Sequence, residues 1–209
     1  MCKSNIKFIT FEGGEGSGKT TIIKRFVEEL QNRGLDILVS REPGGSKISE
    51  EIRNVILNVE NKEMDYMTEA LLYAASRRQH LKEIVWPAIE NGKIVLCDRY
   101  LDSSLVYQGF ARGLGIEKVY DLNMNATDGF LPDVTIYLDV TPDVGLNRIK
   151  SNNRDVNRLD LEKKAFHEKV REGYLKLVEM FPERIVLINA EGTVDEVFEK
   201  VKEAVISRL

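Results

Sequence analysis

A sheet of five parallel strands wrapped by helices on both faces is the fold this sequence predicts, and three observations predict it. Short apolar runs alternate with longer stretches of helical periodicity along the whole chain of 209 residues. The opening run, Ile9-Thr10-Phe11-Glu12, feeds straight into Gly13-Gly14-Glu15-Gly16-Ser17-Gly18-Lys19-Thr20, which fills every fixed position of GxxxxGK[ST], a loop that belongs between a strand and a helix. No repeat or low-complexity linker breaks the alternation, so one α/β domain over residues 1–209 with right-handed crossovers is expected.

The elements follow in order. Lys7 to Glu12 reads as a buried first strand, and the helix after the glycine loop carries Ile22, Phe26, Val27 and Leu30 at helical spacing before Gly34 stops it. Asp36 to Ser40 is a second short strand, followed by the turn-rich Arg41-Glu42-Pro43-Gly44-Gly45 and a helix whose apolar positions are Ile48, Ile52, Val55 and Ile56. From Thr68 to about Glu90 runs a long helical stretch with Glu69 in its first turn, and Pro87 predicts a kink or break near Trp86. Lys93 to Asp98 makes the third strand, and the polar Arg99 to Ser104 continues it to the carboxyl end of the sheet, where open parallel sheets keep their ligands. Ile116 to Thr127 is helical and Val134 to Val140 is a fourth strand. Thr141-Pro142 supplies an N-cap and first turn for a helix through Arg148. The polar, basic segment 150–158 lacks hydrophobic periodicity and reads as an exposed, mobile lid. Helix resumes from about Asp160 to Met180, Arg184 to Asn189 is the fifth strand, and Thr193 to Leu209 closes the chain with Val194, Val197, Val201 and Val205 as its apolar face.

The chemistry begins in the glycine loop. Its glycines let successive backbone N–H groups form a concave nest for anions, at the positive end of the following helix. Lys19 is placed to reach β- and γ-phosphates and the Thr20 hydroxyl to hold Mg²⁺, so a nucleoside-triphosphate site is expected; a ligand-free turn is the alternative. Arg148, Lys150, Arg154 and Arg158 crowd the lid segment, and phosphoryl transfer needs cations around the transferring group, although a solvated basic loop has the same composition. Tyr73 and Arg77 are four apart and share a helix face. A ring beside a guanidinium suits a nucleobase, as it equally suits a half-buried Tyr next to a surface Arg. Asp98-Arg99 at a strand end can act on Mg²⁺ through water and grip a phosphate, or form a structural ion pair. His80 and His167 lie too far apart in sequence for a metal pair and have no triad partners, so both read as structural or surface residues.

Charged residues make up 31% of the chain and the net charge is -4, with no basic stripe, so nucleic acid is not an expected partner. Met1 to Asn5 lacks the apolar run of a signal peptide, and no apolar stretch approaches the roughly 20 residues of a membrane span, which together predict a cytoplasmic protein without membrane contact. Cys2 and Cys97 have no metal spacing, and Cys97 reads as a small buried hydrophobe.

Taken together, these blocks resemble thymidylate kinase over essentially the whole chain. The resemblance is carried by Phe11 through Thr20, by Arg41-Glu42-Pro43-Gly44-Gly45, by Thr68 to Arg77, by Asp98-Arg99-Tyr100 with Ser103, Ser104, Tyr107 and Gln108, and by Arg154-x3-Arg158-Leu159-Asp160. It implies the phosphate-loop nucleoside-monophosphate kinase fold, with a mobile lid at about 148–160, and phosphorylation of dTMP to dTDP with ATP and Mg²⁺. It implies that Tyr73 stacks on thymine, where the family often has Phe, that Arg77 reaches a thymine carbonyl, and that Ser104 and Gln108 bond near the ring nitrogen. Tyr107 is implied to crowd the 2′ side of the sugar. Arg53 and Arg99 are implied to hold the acceptor phosphate, with Ser103 close by. Glu15 falls near the 3′ hydroxyl and the metal, Glu42 in the same cleft, and Arg148 on the adenine of ATP. The variable loop positions Gly14, Glu15, Gly16 and Ser17 are not basic, so the sequence is similar to members that take the catalytic cation from the lid, with Arg154 and Arg158 ranked first beside Lys19 and Arg99. The family usually forms homodimers through helices beside the sheet. Two rivals stand against this: another nucleotide or deoxynucleoside kinase of the same fold, and an ATP-dependent switch with no small-molecule acceptor. A GTP-hydrolysing switch fits less well, because Asn61-Lys62-Glu63 is followed by Met64 where a guanine-reading motif needs Asp.

Overall fold

The computed structural model describes residues 6–150, 158–159 and 162–208. Arg154 with the rest of 151–157, Asp160 and Cys2 lie outside the described residues. Five strands, β1 (Phe8–Glu12), β2 (Ile37–Arg41), β3 (Ile94–Asp98), β4 (Val134–Asp139) and β5 (Ile185–Asn189), pair in parallel in the order β2-β3-β1-β4-β5. β1 is central, with Phe11 against Asp98 of β3 and against Ile136 of β4. Buried on both faces, it carries Phe8, Ile9 and Phe11 around a buried Thr10, whereas the edge strands β2 and β5 leave Val39 and Leu187 exposed.

The two-residue period of a strand divides the core into two halves. Ile9, Phe11, Leu96, Ile136 and Leu138 face α1 (Lys19–Asn32) and α9 (Val194–Ile206), which contribute Phe26, Leu30, Val201 and Val205. Phe8, Val95, Cys97 and Tyr137 point the other way. They meet the long α3 stretch described below, α6 (Ile116–Thr127) and α8 (Lys164–Met180) through Leu81, Val119, Val170, Tyr174 and Leu177. Cys97 is fully buried, and that burial pushes its thiol well above the ordinary range. α9 opens on Thr193 in a reciprocal capping box with Glu196, which satisfies the first free N–H groups of the helix.

Pro87 does not break the long helical stretch. α3 (Tyr66–His80) passes into a π-helical turn, Leu81–Val85, and on into α4 (Trp86–Glu90), with the Trp86 N–H donating to the Leu81 carbonyl five residues back. The wider turn makes room for the proline ring, which would otherwise meet the carbonyl four residues earlier. A second helical segment was not legible: Leu101–Ser104 forms a short helix, α5, continuing as a π-helical stretch Leu105–Ala111 where the sequence reads as polar strand end and loop. Its β-prone Val106 and Tyr107 and its Gly109 carry weak helical propensity, and packing against α6 and α8 decides instead. α2 (Lys47–Leu57) buries Ile56 but exposes Ile48 and Val55, both expected to face inward. α7 (Pro142–Lys150) begins at the expected proline, but the Thr141 hydroxyl donates to Glu191. α8 starts at Lys164, later than expected, because Lys163 is extended.

Candidate active site

The phosphate loop leaves β1 between β3 and β4, where the strand order, after building β2 and β3 on one side of β1, crosses to the other side, which is where open α/β sheets form a crevice. Gly13, Gly16 and Gly18 all have positive φ, conformations that other side chains resist. Lys19 folds back over the loop, its ammonium donating to the carbonyls of Gly13 and Gly14 at 3.1 and 3.3 Å and to Ser17 Oγ at 3.3 Å. Burial, helped by the charge of Arg99, draws its pKa below the usual range, while Asp98, Glu15 and Glu12 oppose the shift. A phosphate in the nest would restore the favourable charge balance.

A cleft of about 600 Å³ extends from this loop across the carboxyl ends of β1 and β3. One arm is lined by Gly16 to Thr20, Arg148, Ala190, Gly192 and Val194. Arg148 lies at its rim, donating to the carbonyls of Ala190 and Gly16 at 3.0 and 3.4 Å. The other arm is lined by Glu42, Arg53, Tyr73, Arg77, Arg99, Ser103, Tyr107 and Gln108, with Leu57 and Leu159. Most residues singled out from the sequence therefore reach one continuous space, although the positions span most of the chain; Gly13, Gly14, Ser104 and Arg158 do not line it.

Arg99 stands between the two arms with φ of 71°, a left-handed conformation that costs a side-chain-bearing residue about 1–2 kcal/mol. Its guanidinium donates to Glu15 Oε1 at 2.6 Å, to Ser103 Oγ at 3.3 Å and to the Tyr174 hydroxyl at 3.4 Å, and lies over the Tyr107 ring. The turn is pinned from beneath by Glu12. Fully buried at the end of β1, its carboxyl group accepts from the Tyr100 N–H, the Ser103 hydroxyl and the Tyr174 hydroxyl at 2.7, 2.6 and 2.8 Å. Burial, reinforced by Asp102, pushes the Glu12 carboxyl up to about 7 against the pull of Arg99, Ser103 and Tyr174.

Arg77 is 1% exposed and fully engaged, donating to Glu42, Ser104, Asn123 and the Tyr100 carbonyl. Because the Ser104 oxygen accepts twice from Arg77, its own proton is what it has left to donate. His80 is buried against the second oxygen of Glu42 and against Ser40, a structural role. His167 is buried as well. Arg53 donates to the Pro43 carbonyl at 2.7 Å, and Arg41, a cleft residue the sequence reading passed over, is paired with Glu50. The Tyr107 hydroxyl is buried without a partner among the described residues, so a ligand would be its first.

Asp98 Oδ1 is also buried without a partner among the described residues, and Asp98 lines the same cleft as Thr20 and Glu15. An orphaned carboxylate oxygen near a phosphate nest fits Mg²⁺, which takes one or two carboxylates plus water and substrate phosphates rather than an all-protein cage.

Arg158 corrects an expectation. Read as part of an exposed lid, it is only 8% exposed, with Nη2 paired to Glu69, Nε donating to the Ile56 carbonyl at 3.0 Å, and its own N–H to the Leu57 carbonyl at 3.3 Å. Glu69, read only as a first-turn acid, is fully buried and demands such a cation. The pairing spans 89 positions, beyond any local pattern. Glu12 was missed because it reads as a strand end; the signal available was a carboxylate inside a run otherwise apolar.

One close contact was also missed. An added Cβ on Gly145 of α7 would sit 2.2 Å from the Glu15 carbonyl oxygen, and one on Gly16 would sit 2.1 Å from the Gly145 carbonyl oxygen. The phosphate loop and α7 thus meet backbone to backbone.

A continuous cleft running from the glycine loop across the carboxyl ends of a parallel sheet is the layout of the nucleoside-monophosphate kinases. Comparison with known proteins narrows it. The family model described as thymidylate kinase matches residues 11–201. A thymidylate kinase of Clostridium novyi (strain NT) is 61% identical over 196 residues, covering 93% of this chain and 96% of that protein. One of Geobacillus sp. (strain WCH70) is 56% identical over 204 residues, covering 97% of each. The crystal structure of thymidylate kinase from Ehrlichia chaffeensis superposes with a TM-score of 0.75 at 30% identity, covering 96% of this chain and 98% of that one. The chain belongs to the thymidylate kinase family.

Two predictions follow from the geometry. Glu12 binds a proton more tightly folded than unfolded, so it lowers stability progressively as pH rises from about 4.5 towards 7. Urea denaturation should therefore show Glu12→Gln gaining on the unaltered protein across that window, by roughly 1–3 kcal/mol, and then levelling off. Gly145→Ala should push the phosphate loop aside and lower kcat on the order of 10- to 100-fold, since displacements near 1 Å are that costly, while circular dichroism stays native.

Proposed function

We propose that this chain transfers the γ-phosphoryl group of ATP, in the presence of Mg²⁺, to the 5′-phosphate of dTMP, yielding dTDP and ADP. The observation that carries this reading is the single two-armed cleft, with an oxyanion nest in one arm and, in the other, a guanidinium pair, Arg53 and Arg99, beneath the aromatic wall of Tyr73. ATP phosphates occupy Gly13 to Thr20 with its adenine against Arg148, and dTMP occupies the second arm. Tyr73 stacks on the base, Arg77, Ser104 and Gln108 face its polar edge, and Glu15 and Glu42 flank the sugar side. Tyr107 closes the space where a 2′ hydroxyl would sit.

No general base is required, because an acceptor phosphate oxygen is already largely ionised near neutral pH. A lone pair on that oxygen forms the new bond to the γ-phosphorus as the bond to the β–γ bridging oxygen breaks, and ADP leaves with the bonding electrons. Catalysis is then positioning and charge neutralisation. Lys19 swings from its loop carbonyls to the phosphates, and Arg99, held at the junction of the arms by Glu15, Ser103 and Tyr174, bridges donor and acceptor. Thr20 and Asp98 would hold Mg²⁺, which would supply charge neutralisation there. In this reading the segment beyond α7 supplies Arg154 as the lid cation. Arg158 joins it only by leaving Glu69.

The same reading takes the chain as one domain working in the cytoplasm. No helix among the described residues is long and apolar enough to cross a membrane. It also takes the chain as a homodimer, supported by Ile48, Val55 and Leu71, apolar and exposed on the adjoining helices α2 and α3.

A coupled ADP-release assay with dTMP, dUMP, AMP, CMP and thymidine tests the activity. Stimulation by dTMP above the others is expected; ATP hydrolysis indifferent to every acceptor would favour a switch. Lys19→Ala should abolish transfer without unfolding the protein, and Tyr73→Ala should raise KM for dTMP far more than KM for ATP. Equal effects on both substrates would remove Tyr73 from the base pocket.

A further inference from the structure

On α3, Glu69 lies one turn before Tyr73 and two before Arg77, on the same stripe, but it does not line the cleft. Its carboxylate is fully buried and its two oxygens are divided between two partners. Oε2 takes Arg158, and Oε1 takes the Gln108 amide nitrogen at 2.8 Å. Arg112 adds a second cation, 3.6 Å from Oε1, and is itself paired with Glu162 at 2.7 Å. Gln108 does line the cleft, in the arm with Tyr73. The proximity of Glu69 to that arm is also felt by the Tyr73 phenol, whose pKa is raised by burial and then by Glu69.

A primary amide can be turned either way, with nearly identical shape and opposite hydrogen-bonding sense. A carboxylate settles the choice, because it only accepts: the Gln108 nitrogen must face Glu69, and the amide oxygen is then the atom left for a ligand. We propose that Glu69 is a positioning residue for base specificity, locking the Gln108 amide so that it presents an acceptor to the pyrimidine edge. The proposal rests on the reading of the second arm as the monophosphate site. An acceptor there pairs with a ring N–H, as in thymine or uracil, and opposes the unprotonated ring nitrogen of cytosine.

Glu69→Gln tests this with almost no change of volume. Arg158 needs an oxygen, so the new amide should turn its own oxygen to Arg158 and its nitrogen to Gln108. That reverses the Gln108 amide and offers the base a donor. The ratio of kcat/KM for dTMP to that for dCMP should fall by at least about 10-fold, with dTMP losing and dCMP gaining, while KM for ATP stays within about 2-fold. Any displacement of Arg158 affects both acceptors equally and cancels in the ratio. Glu69→Asp keeps a carboxylate and should keep most of the preference, even where its melting temperature drops. In a Gln108→Leu background, Glu69→Gln should leave the ratio unchanged, since the residue it acts through is gone. An unchanged ratio in folded Glu69→Gln, an equal loss in Glu69→Asp, or a further fall in the Gln108→Leu background would each overturn the proposal. Turnover of dTMP by the unaltered chain reports on the activity reading alone, so the two can fail separately.

Discussion

Pairing of buried guanidinium groups with buried carboxylates is the constraint on which the site depends. Arg77 with Glu42 and Arg158 with Glu69, both buried, and Arg99 with Glu15, half-buried, join segments distant in sequence around the cleft. Removing one partner from such a pair leaves an uncompensated charge, costing about 3–5 kcal/mol, so the pairs hold each other in place. A cleft built to receive polyanions must keep several cations close together, and without ligand their mutual repulsion has to be offset from within. Glu15, Glu42 and Glu69 do this while leaving guanidinium and ammonium groups within reach of a phosphate.

The same arrangement explains how a binding site can be firm on one side and adaptable on the other. Arg77, Glu42, His80, Ser104 and Asn123 form a saturated network behind the second arm, so that wall is set before any ligand arrives. Lys19, by contrast, is held only by oxygens of its own loop at 3.1–3.3 Å, contacts easily exchanged for stronger ones to phosphate. A fixed wall in one arm and exchangeable contacts in the other would suit a reaction in which one ligand is discriminated and the other released with altered charge.

Much of this was legible in the sequence, for reasons that are local. The glycine loop declares itself because Gly13, Gly18, Lys19 and Thr20 fall within eight residues, and the central strand because Phe8, Ile9 and Phe11 crowd four positions. The residues lining the second arm were recovered through family resemblance, since nothing in the spacing of Arg53, Tyr73 and Gln108 brings them together; the sheet order does. Failures share a physical origin. The helical segment from Leu101 to Ala111 is held by tertiary packing against its propensity. Arg158 reads as a solvated lid residue because its partner Glu69 lies far back in the chain. Gly145 went unnoticed because only the proximity of Glu15 shows why a side chain is excluded there.

Arg99 carries one more implication. Its left-handed backbone is a region glycine would occupy freely, and any side chain there gives up folding free energy. The chain nonetheless places its bulkiest cation at that turn, braced by Glu12 from below. Natural stability at this position is therefore below what the same backbone could reach, and a search for hardier variants that scored only heat resistance would drift towards erasing the charge. Ruggedness and competence pull in opposite directions at a single residue, and the distance between them measures how much endurance this enzyme forgoes in order to work.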